Sequence, residues 1–284
     1  MNENLINKVC LITGATNGIG EESAKELNKM GAEIVFVARS AEKGNRLKTE
    51  LLEESGREAT MIIADLSSQA EVKKAANEFL ALDKPLDILL NNAGIMNRER
   101  KETIDGLEEV FSVNHLAYFT FTMMLAEKLK QTEGSRVVNV ASGAHQFVKD
   151  MNFDDLQSEK IYKPMQVYGQ SKLANILFTK SLSEKLSSFG VTVNCLHPGF
   201  VSTGIGSNNK GIWSFLMLLA RPFARKTDKG AETSIYLCSS HDVGDISGEY
   251  FVDCKIEKTS DAANNPDQAS RLWEISSELT GLEL

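Results

Sequence analysis

The sequence lacks the marks of several large protein classes. Its four cysteines, Cys10, Cys195, Cys238 and Cys254, form no CxxC pair, and its four histidines show no metal-site spacing. Basic residues are outnumbered, because 31 Lys and Arg stand against 39 Asp and Glu, which leaves a formal net charge of −8. Nucleic-acid binders need a basic surface. We therefore expect no metal, no disulfide framework and no nucleic-acid partner.

Long apolar segments are also missing. The first residues, "MNENLINKVCLITG", show neither the charged nor the apolar region of a signal peptide. The longest uncharged apolar run, "GIWSFLMLLA" at 211–220, is about half as long as a membrane-spanning helix must be. These absences predict a cytoplasmic protein without a transmembrane segment.

The chain instead shows regular alternation. Six short runs, rich in β-branched and aliphatic residues, lack polar alternation, which is typical of strands covered on both faces. They lie at 8–13, 33–38, 59–64, 87–92, 136–141 and 191–196. Segments with helical composition separate them, including 21–30, 41–55, 68–82 and 164–189. Repeated strand then helix predicts an α/β fold with a doubly wound parallel sheet and helices on both faces, as one domain over residues 1–284.

Two connections are longer than such a fold requires. They cover about 143–163 and 200–226, and each follows the carboxyl end of a predicted strand, where ligands bind in open α/β sheets. We expect both to contact substrate. The apolar run at 211–220 is predicted to be a lid over the pocket, with ordinary core as the alternative.

A glycine-rich turn, "TGATNGIG", follows the first strand and precedes a helix. Glycines permit close approach of backbone N–H groups to a pyrophosphate, and the helix N-terminus adds partial positive charge. The turn predicts a dinucleotide site that includes Gly14, Thr16, Asn17, Gly18, Ile19 and Gly20.

Basic residues, and no acidic residue, stand at the end of the second predicted strand. Arg39 and Lys43 stand where many dinucleotide folds place an acid for the ribose hydroxyls. An arginine can grip a 2′-phosphate that an acid would repel. This favours NADP(H) over NAD(H), and the alternative is a solvated charge at a strand end.

The stretch "VYGQSKLAN" places Tyr168 and Lys172 four residues apart, so both side chains lie on one helix face. An ammonium near a phenol favours phenolate and is expected to lower the pKa of the tyrosine. Alone, the spacing is more often an ordinary surface helix. It gains weight from the other motifs.

Together, "TGATNGIG", "NNAG" at 91–94, Ser142 after "VVNVA", and "YGQSK" resemble the short-chain dehydrogenase/reductase family over nearly the whole chain. The stretches "FSVNHLAYF", "YGQSKLANILF", "HPGFVST" and "LWEISSELTGL" resemble its retinol-dehydrogenase-like, NADP-preferring branch. The resemblance implies a Rossmann fold and hydride transfer between NADP(H) and a carbonyl or alcohol substrate. Many vertebrate members carry an N-terminal membrane anchor, whereas the first strand here is predicted to begin by Lys8, and this argues against retinoid use.

The resemblance implies a catalytic tetrad of Asn114, Ser142, Tyr168 and Lys172. Tyr168 would be the general acid in reduction and the base in oxidation, and Lys172 would lower its pKa and bond the nicotinamide ribose. Ser142 would polarise the substrate oxygen, and Asn114 would order a water that leads protons to Lys172. Preorganised donors of this kind suit a reaction that leaves charge on oxygen.

Further cofactor contacts are implied by the same resemblance. Asp65, beside Leu66, would bond the adenine amino group, although it could equally be a helix cap. The remaining implied contacts line the adenosine, nicotinamide or phosphates, and they are Asn91, Ala93, Gly94, Pro198, Gly199, Val201 and Thr203. Homodimers or homotetramers are expected by analogy, with pairing through helices at about 104–131 and 164–189, although monomers also occur among similar proteins.

Other functions fit the sequence less well. A Ser-His-Asp hydrolase could use Ser142, His145 and Asp154 or Asp155, but no GxSxG elbow surrounds the serine. His145 is expected at the surface, or else in contact with substrate. A sugar-nucleotide epimerase would need a larger C-terminal domain. A regulator that binds NADPH without turnover stays open as the alternative, although such proteins commonly lose a tetrad residue.

Overall fold

The structure is a computed structural model that describes residues 4–199 and 227–284. Its strands form one sheet in the order β3-β2-β1-β4-β5-β6-β7-β8, with every pairing parallel except that of β7 with β8. The strands are β1 (Val9–Thr13), β2 (Glu33–Ala38), β3 (Thr60–Ile63), β4 (Ile88–Asn91), β5 (Arg136–Val140), β6 (Thr192–His197), β7 (Tyr250–Val252) and β8 (Lys255–Ile256). All six predicted strands are confirmed within two residues at each end.

The longer helices of the described ranges cover both faces of this sheet. They are α1 (Gly18–Lys29), α2 (Ala41–Ser55), α3 (Gln69–Ala81), α4 (Ala117–Gln131), α5 (Pro164–Leu186), α6 (Thr227–Ser239) and α7 (Pro266–Thr280). Helices α1, α2 and α6 pack on one face, and α3, α4 and α5 pack on the other. The doubly wound α/β fold is confirmed.

The strand order reverses direction between β1 and β4, since β2 and β3 lie on one side and β5 and β6 on the other. In open α/β sheets, ligands bind outside the carboxyl ends of the strands at such a switch point. The carboxyl end of β1 leads into the glycine turn, and that of β4 leads into "NAG" at 92–94. The topology therefore brings both motifs to one crevice.

Helix α7 covers part of the two helices through which pairing is expected. The Trp273 ring lies 5.1 Å from that of Phe119 in α4 and 5.9 Å from that of Phe178 in α5, and Ser276 lies within hydrogen-bond distance of His115. Pairing of two copies through the helices at about 104–131 and 164–189 stays a prediction, and it would have to use parts of α4 and α5 that these contacts with α7 leave open.

Among the described residues, no helix is both long and apolar enough to cross a lipid bilayer.

Candidate active site

The glycine turn lies directly against the segment that follows β4. Gly14 adopts a φ of +67°, and a Cβ there would stand 2.7 Å from the Cα of Ala93, so any side chain would separate the two motifs. The Asn92 amide donates to the carbonyls of Thr13 and Gly14 at 3.0 Å each, and the Thr13 hydroxyl accepts from the backbone N–H groups of Asn92 and Ala93. Asn92 and Thr13 were not predicted as site residues. The sequence showed them only as parts of "TGATNGIG" and "NNAG".

Helix α1 begins without a side-chain cap. Asn17 is the N-cap residue, and its side chain makes no capping hydrogen bond, so the first backbone N–H groups of the helix stay available to an anion. A charged side chain also contacts the glycine turn. Arg46 of α2 donates to the carbonyl of Thr16 at 3.3 Å and pairs with Glu21 at 2.8 Å. The sequence analysis did not predict this contact of Arg46.

The two basic residues after β2 are both exposed. Arg39 makes no ion pair with any other residue of the described ranges, which leaves its guanidinium available to a ligand. The backbone N–H of Lys43 donates to the hydroxyl of Ser40, the N-cap of α2, so its main chain lies in the first turn of that helix. Two exposed basic residues thus follow β2 closely, and their contact with a 2′-phosphate stays a prediction.

Asp65 and Leu66 lie between β3 and α3. One carboxylate oxygen of Asp65 accepts the backbone N–H of Ser67 at 3.0 Å, whereas Ser68 is the residue that caps α3. Asp65 therefore shapes the turn before the helix and does not cap the helix itself. Leu66 is buried in the core next to α3.

Asn91 is the last residue of β4. Its side chain is fully buried, and its amide donates to Thr122 at 3.0 Å and to the amide oxygen of Asn139 at 2.9 Å. The side chain thus joins β4 to β5 and α4 rather than facing the crevice. Any contact of Asn91 with a cofactor would have to come from its backbone.

The predicted catalytic pair, Tyr168 and Lys172, lies together on α5. The Lys172 Nζ atom is 5.7 Å from the centroid of the Tyr168 ring and donates to the carbonyl of Val140, at the carboxyl end of β5, at 2.8 Å. Lys172 is only 2% exposed. The second ring near it belongs to Tyr118, at 5.8 Å, whose hydroxyl donates to the carbonyl of Ala93.

Ser142 reaches this pair because a helical glycine lets two segments meet. Ser142 caps a short 3-10 helix, Gly143–Phe147, and its hydroxyl takes part in a hydrogen bond with Tyr168. A Cβ on Gly169 would stand 2.7 Å from the carbonyl oxygen of Ala144. Gly169 is therefore required for the close approach of this turn to α5.

Asn114 sits in a π-helical turn, Ser112–Leu116, just before α4. Such turns are rare and frequent at functional sites. The Asn114 amide accepts the N–H of Ile95 at 2.8 Å, and it donates to the carbonyl of Ile95 and to the Ser171 hydroxyl, each at 3.0 Å. A methyl group at Gly94 would lie 3.5 Å from Asn114 Oδ1 and 3.6 Å from Lys172 Nζ. All four tetrad positions thus surround the ends of β4 and β5.

The pKa values in the pair differ from the expectation. Burial raises the pKa of Tyr168 to about 12, and the hydrogen bond with Ser142 opposes this only in part. Burial lowers the pKa of Lys172 to about 7. The expected lowering of the tyrosine pKa by the lysine is wrong for this structure, since burial dominates and the lysine itself is only about half charged near neutral pH.

His145 is not at the surface, and that expectation is wrong. It is fully buried, and burial lowers its pKa. Its Nδ1 lies 2.7 Å from the carbonyl oxygen of Ser142, and its ring packs edge-on against Tyr250 with centroids 5.2 Å apart. It makes no contact with the Ser142 hydroxyl that a hydrolase would need.

An open cavity of about 530 Å³ lies between residues 147–163 and the first turns of α5. Lys163, Val167 and Gln170 line it at helical spacing, and none of the four tetrad residues does. It opens on another face of α5 than Tyr168 and Lys172. The first long connection therefore contributes a surface beside the site.

The end of β6 leads to Pro198 and Gly199, both part-buried, and Gly199 has a φ of +81°. The predicted contacts Val201 and Thr203, and the connection 200–226 with its lid at 211–220, lie outside the described residues.

The residues present fit a dinucleotide cofactor. The glycine turn leaves no space for a side chain, the start of α1 has uncapped N–H groups, and the exposed cations of Arg39 and Lys43 stand at the tip of the neighbouring strand. Backbone N–H groups, a helix N-terminus and cations form the donor set for a phosphorylated nucleotide.

Comparison with known proteins agrees with this geometry. Residues 8–211 match the family model described as short chain dehydrogenase. The chain is 40% identical over 283 residues to retinol dehydrogenase 12 of Mus musculus, covering 99% of this chain and 89% of the relative.

Two solved structures extend the comparison. A putative uncharacterized protein from Mycobacterium paratuberculosis is similar with a TM-score of 0.80 and 27% identity, covering 99% of this chain and 96% of that one. A short chain dehydrogenase from Burkholderia cenocepacia, in complex with NADP, has a TM-score of 0.69 and 27% identity, covering 92% and 100%.

Proposed function

The chain belongs to the short-chain dehydrogenase family of oxidoreductases, and we propose that it transfers a hydride between NADP(H) and the carbonyl or alcohol carbon of an apolar substrate. The observation that carries this proposal is the meeting of Ser142, Tyr168 and Lys172 at the carboxyl end of β5, in the crevice where the glycine turn lies. The nicotinamide, when bound, supplies the hydride. The chain supplies the proton and the donors.

Tyr168 is the proton donor in reduction. With a pKa near 12 its phenol stays protonated at neutral pH, as a general acid must be before proton transfer. The alkoxide that forms on the substrate is more basic than the phenolate, so transfer from phenol to alkoxide is favourable. Ser142, already bonded to the Tyr168 hydroxyl, holds the substrate oxygen beside it.

Lys172 controls the charge next to the phenol. At a pKa of about 7 its ammonium and amine forms are both populated near neutral pH, and a nearby negative charge, such as the phenolate, shifts it toward the ammonium. The positive charge then stabilises the phenolate that proton transfer leaves behind. Asn114, linked to α5 through Ser171, completes the polar path next to Lys172.

The cofactor assignment rests on the tip of β2. Arg39 and Lys43 offer two exposed cations to a 2′-phosphate, and Arg46 lies against the glycine turn. The similar Burkholderia protein was solved with NADP. Asp65 and the backbone near Ala93, Gly94, Pro198 and Gly199 would line the rest of the dinucleotide.

Relatives support an apolar substrate. The mouse protein at 40% identity carries the name retinol dehydrogenase, and we propose long apolar aldehydes or alcohols, retinal among them, as the first substrates to test. Exposed Phe147 and Ile161, at 60% and 65% exposure, add apolar surface to the first long connection.

The test measures loss of NADPH absorbance with purified protein and a panel of retinal, medium-chain aldehydes, aromatic ketones, quinones and steroids. Tyr168→Phe should lower kcat by roughly 10³-fold or more, because the proton donor is lost, while the affinity for NADPH stays within about twofold. The matched control is Tyr162→Phe. It removes a hydroxyl of the first long connection that donates to the carbonyl of Asn97. Binding of NADPH without turnover of any substrate would contradict the proposal and favour a regulator.

A further inference from the structure

His145 makes contacts that the proposed mechanism does not use. Its Nδ1 atom lies 2.7 Å from the carbonyl oxygen of Ser142, and its backbone N–H donates to the same oxygen at 3.2 Å. The histidine is fully buried, so neither bond is shared with solvent. Two donors from one residue thus hold the main chain of the active-site serine.

The partners of the ring determine its tautomer. The backbone N–H of Ser260 points at Nε2 with a distance of 3.3 Å, and an N–H can only donate. Nε2 must therefore be the acceptor nitrogen, which leaves the proton on Nδ1, where it is donated to the Ser142 carbonyl. Burial lowers the pKa of His145 and keeps the ring neutral. The imidazole is a fixed bridge between the backbone groups of Ser142 and Ser260, and the histidine itself lies 115 residues before Ser260.

The bridge through His145 affects where the Ser142 hydroxyl lies. The Ser142 side chain accepts the N–H of Ala144 at 3.2 Å and bonds the Tyr168 hydroxyl, so its direction follows the orientation of its own peptide. Tyr250 packs edge-on against the other side of the imidazole, at 5.2 Å between centroids. The ring is therefore held from the sheet and from the segment before α7.

Building on the proposed function, we propose that His145 is a positioning residue, which sets the Ser142 hydroxyl for the substrate oxygen by holding the Ser142 carbonyl. The backbone N–H of Ser260 holds the other side of the imidazole, through its hydrogen bond to Nε2. A misplacement of a catalytic group by about 1 Å can cost on the order of 10²-fold in rate. Loss of the bridge should therefore lower kcat and leave the cofactor site unaffected.

Three substitutions separate the two bonds of the ring. In His145→Asn the amide nitrogen takes the place of Nδ1 and can still donate to Ser142. In His145→Gln the longer amide can satisfy the N–H of Ser260 but places no donor at the Nδ1 position. His145→Phe keeps a ring against Tyr250 and removes both bonds.

We expect His145→Phe and His145→Gln to lower kcat roughly 10-fold to 100-fold with the KM for NADPH within about twofold. His145→Asn should restore kcat to within about threefold of the unsubstituted chain. If His145→Phe fails to fold, the Asn and Gln pair carries the test. Equal kcat values for Asn and Gln would overturn the inference, as would an unchanged kcat in both His145→Phe and His145→Gln.

A double-substitution cycle shows whether the effect passes through the serine. In a Ser142→Ala background, His145→Gln should change the single-turnover rate by less than about twofold, because no hydroxyl remains to be positioned. The same loss in both backgrounds would overturn the inference, since it would indicate a general structural role. Absence of turnover in the unsubstituted chain would overturn the proposed function, and this inference with it. If the unsubstituted chain turns over substrate and His145→Gln has the same kcat, the inference is overturned and the proposed function is not.

Discussion

Two polar networks lie side by side between the sheet and the helices α4 and α5, and they are built from similar residues. In the first, Asn91 bonds Thr122 and Asn139, and Asn139 donates to Thr179. In the second, Asn114 bonds Ser171, and Lys172 bonds the carbonyl of Val140. Each network joins a strand end to helix α5.

The difference lies in charge. The first network contains only neutral amides and hydroxyls, its members are fully buried, and each makes at least one hydrogen bond to protein, although the Asn91 Oδ1 atom has no partner among the described residues. The second contains an ammonium whose only protein acceptor among the hydrogen bonds of the described residues is one backbone carbonyl, and burial lowers its pKa to about 7. Neutral bonded networks stabilise a fold, whereas an under-satisfied charge is costly and marks a functional site. The two networks should therefore respond oppositely to substitution.

The largest expected effect is that of Lys172→Met. We expect kcat to fall by roughly 10²-fold to 10⁴-fold, because the charge that stabilises the phenolate is lost. Stability at pH 6 should stay equal or rise, since a buried ammonium is removed. The Val140 carbonyl would keep the amide of Asn175 as a donor, at 3.3 Å. Steady-state kinetics and urea unfolding measure the two quantities.

The same variant has a pH signature. The folded state releases the Lys172 proton near pH 7, whereas the unfolded chain keeps it until about pH 10.5. In that window the unfolded state binds more protons, so this group makes stability rise with pH, by at most about 1.4 kcal/mol per pH unit. Lys172→Met should flatten this rise. Parallel stability curves for the two proteins between pH 7 and 10 would contradict the assignment.

Asn139→Ala tests the first network and should act on stability alone. It removes the acceptor of Asn91 and the donor to Thr179, and it leaves a cavity, at a cost of about 2 to 4 kcal/mol in the free energy of unfolding. The kcat per folded molecule should stay within about twofold. Asn45→Ala, at an exposed position of α2, is the control and should cost less than about 0.5 kcal/mol. A fall in kcat per folded molecule beyond about twofold would show that the first network also affects catalysis, and it would remove the distinction between the networks.

Gly169→Ala should affect both quantities moderately. The added methyl group meets the carbonyl of Ala144 at 2.7 Å, so the turn that carries Ser142 must move away from α5. We expect a loss of about 1 to 3 kcal/mol in stability and roughly a 10-fold fall in kcat. Ser181→Ala, on the same helix, should change neither. A kcat equal to that of the unsubstituted chain would show that Ser142 tolerates the shift.

The smallest effect is expected at the cofactor side. Arg39→Ala should raise the KM for NADPH roughly 10-fold with no change in the KM for NADH, because only the first carries the 2′-phosphate. Stability should not change, as Arg39 is exposed. Lys48→Ala removes the same charge from an exposed position of α2 and serves as control. Equal effects of Arg39→Ala on both cofactors would exclude this residue from cofactor choice.

The sequence predicted the sheet well because buried parallel strands leave continuous apolar runs, such as "EIVFVA" at Glu33–Ala38. It also predicted which residues meet, since motif order and strand order together fix the crevice. It could not predict burial along a connection. His145 was expected at the surface because it lies in a long loop, and only the return of the chain at Tyr250 and Ser260 encloses it.

Burial also explains the error in the pKa of Tyr168 and the position of the Asn91 side chain. The direction of the Tyr168 pKa shift depends on how much solvent the fold removes, and a spacing of four residues does not contain that information. The side chain of Asn91 is enclosed because the four-residue strand Ile88–Asn91 is buried to its last residue, and a contact of Asn91 with the cofactor stays a prediction.

Helix α7 follows every other described element in chain order, and this has a consequence for biosynthesis. Until residues near Trp273 have left the ribosome, the rings of Phe119 and Phe178 lack the indole that covers them. The nascent chain thus carries an uncovered aromatic surface on α4 and α5 until α7 has emerged. Chaperone engagement of this surface during translation, and its release once α7 docks, is the expected order of events.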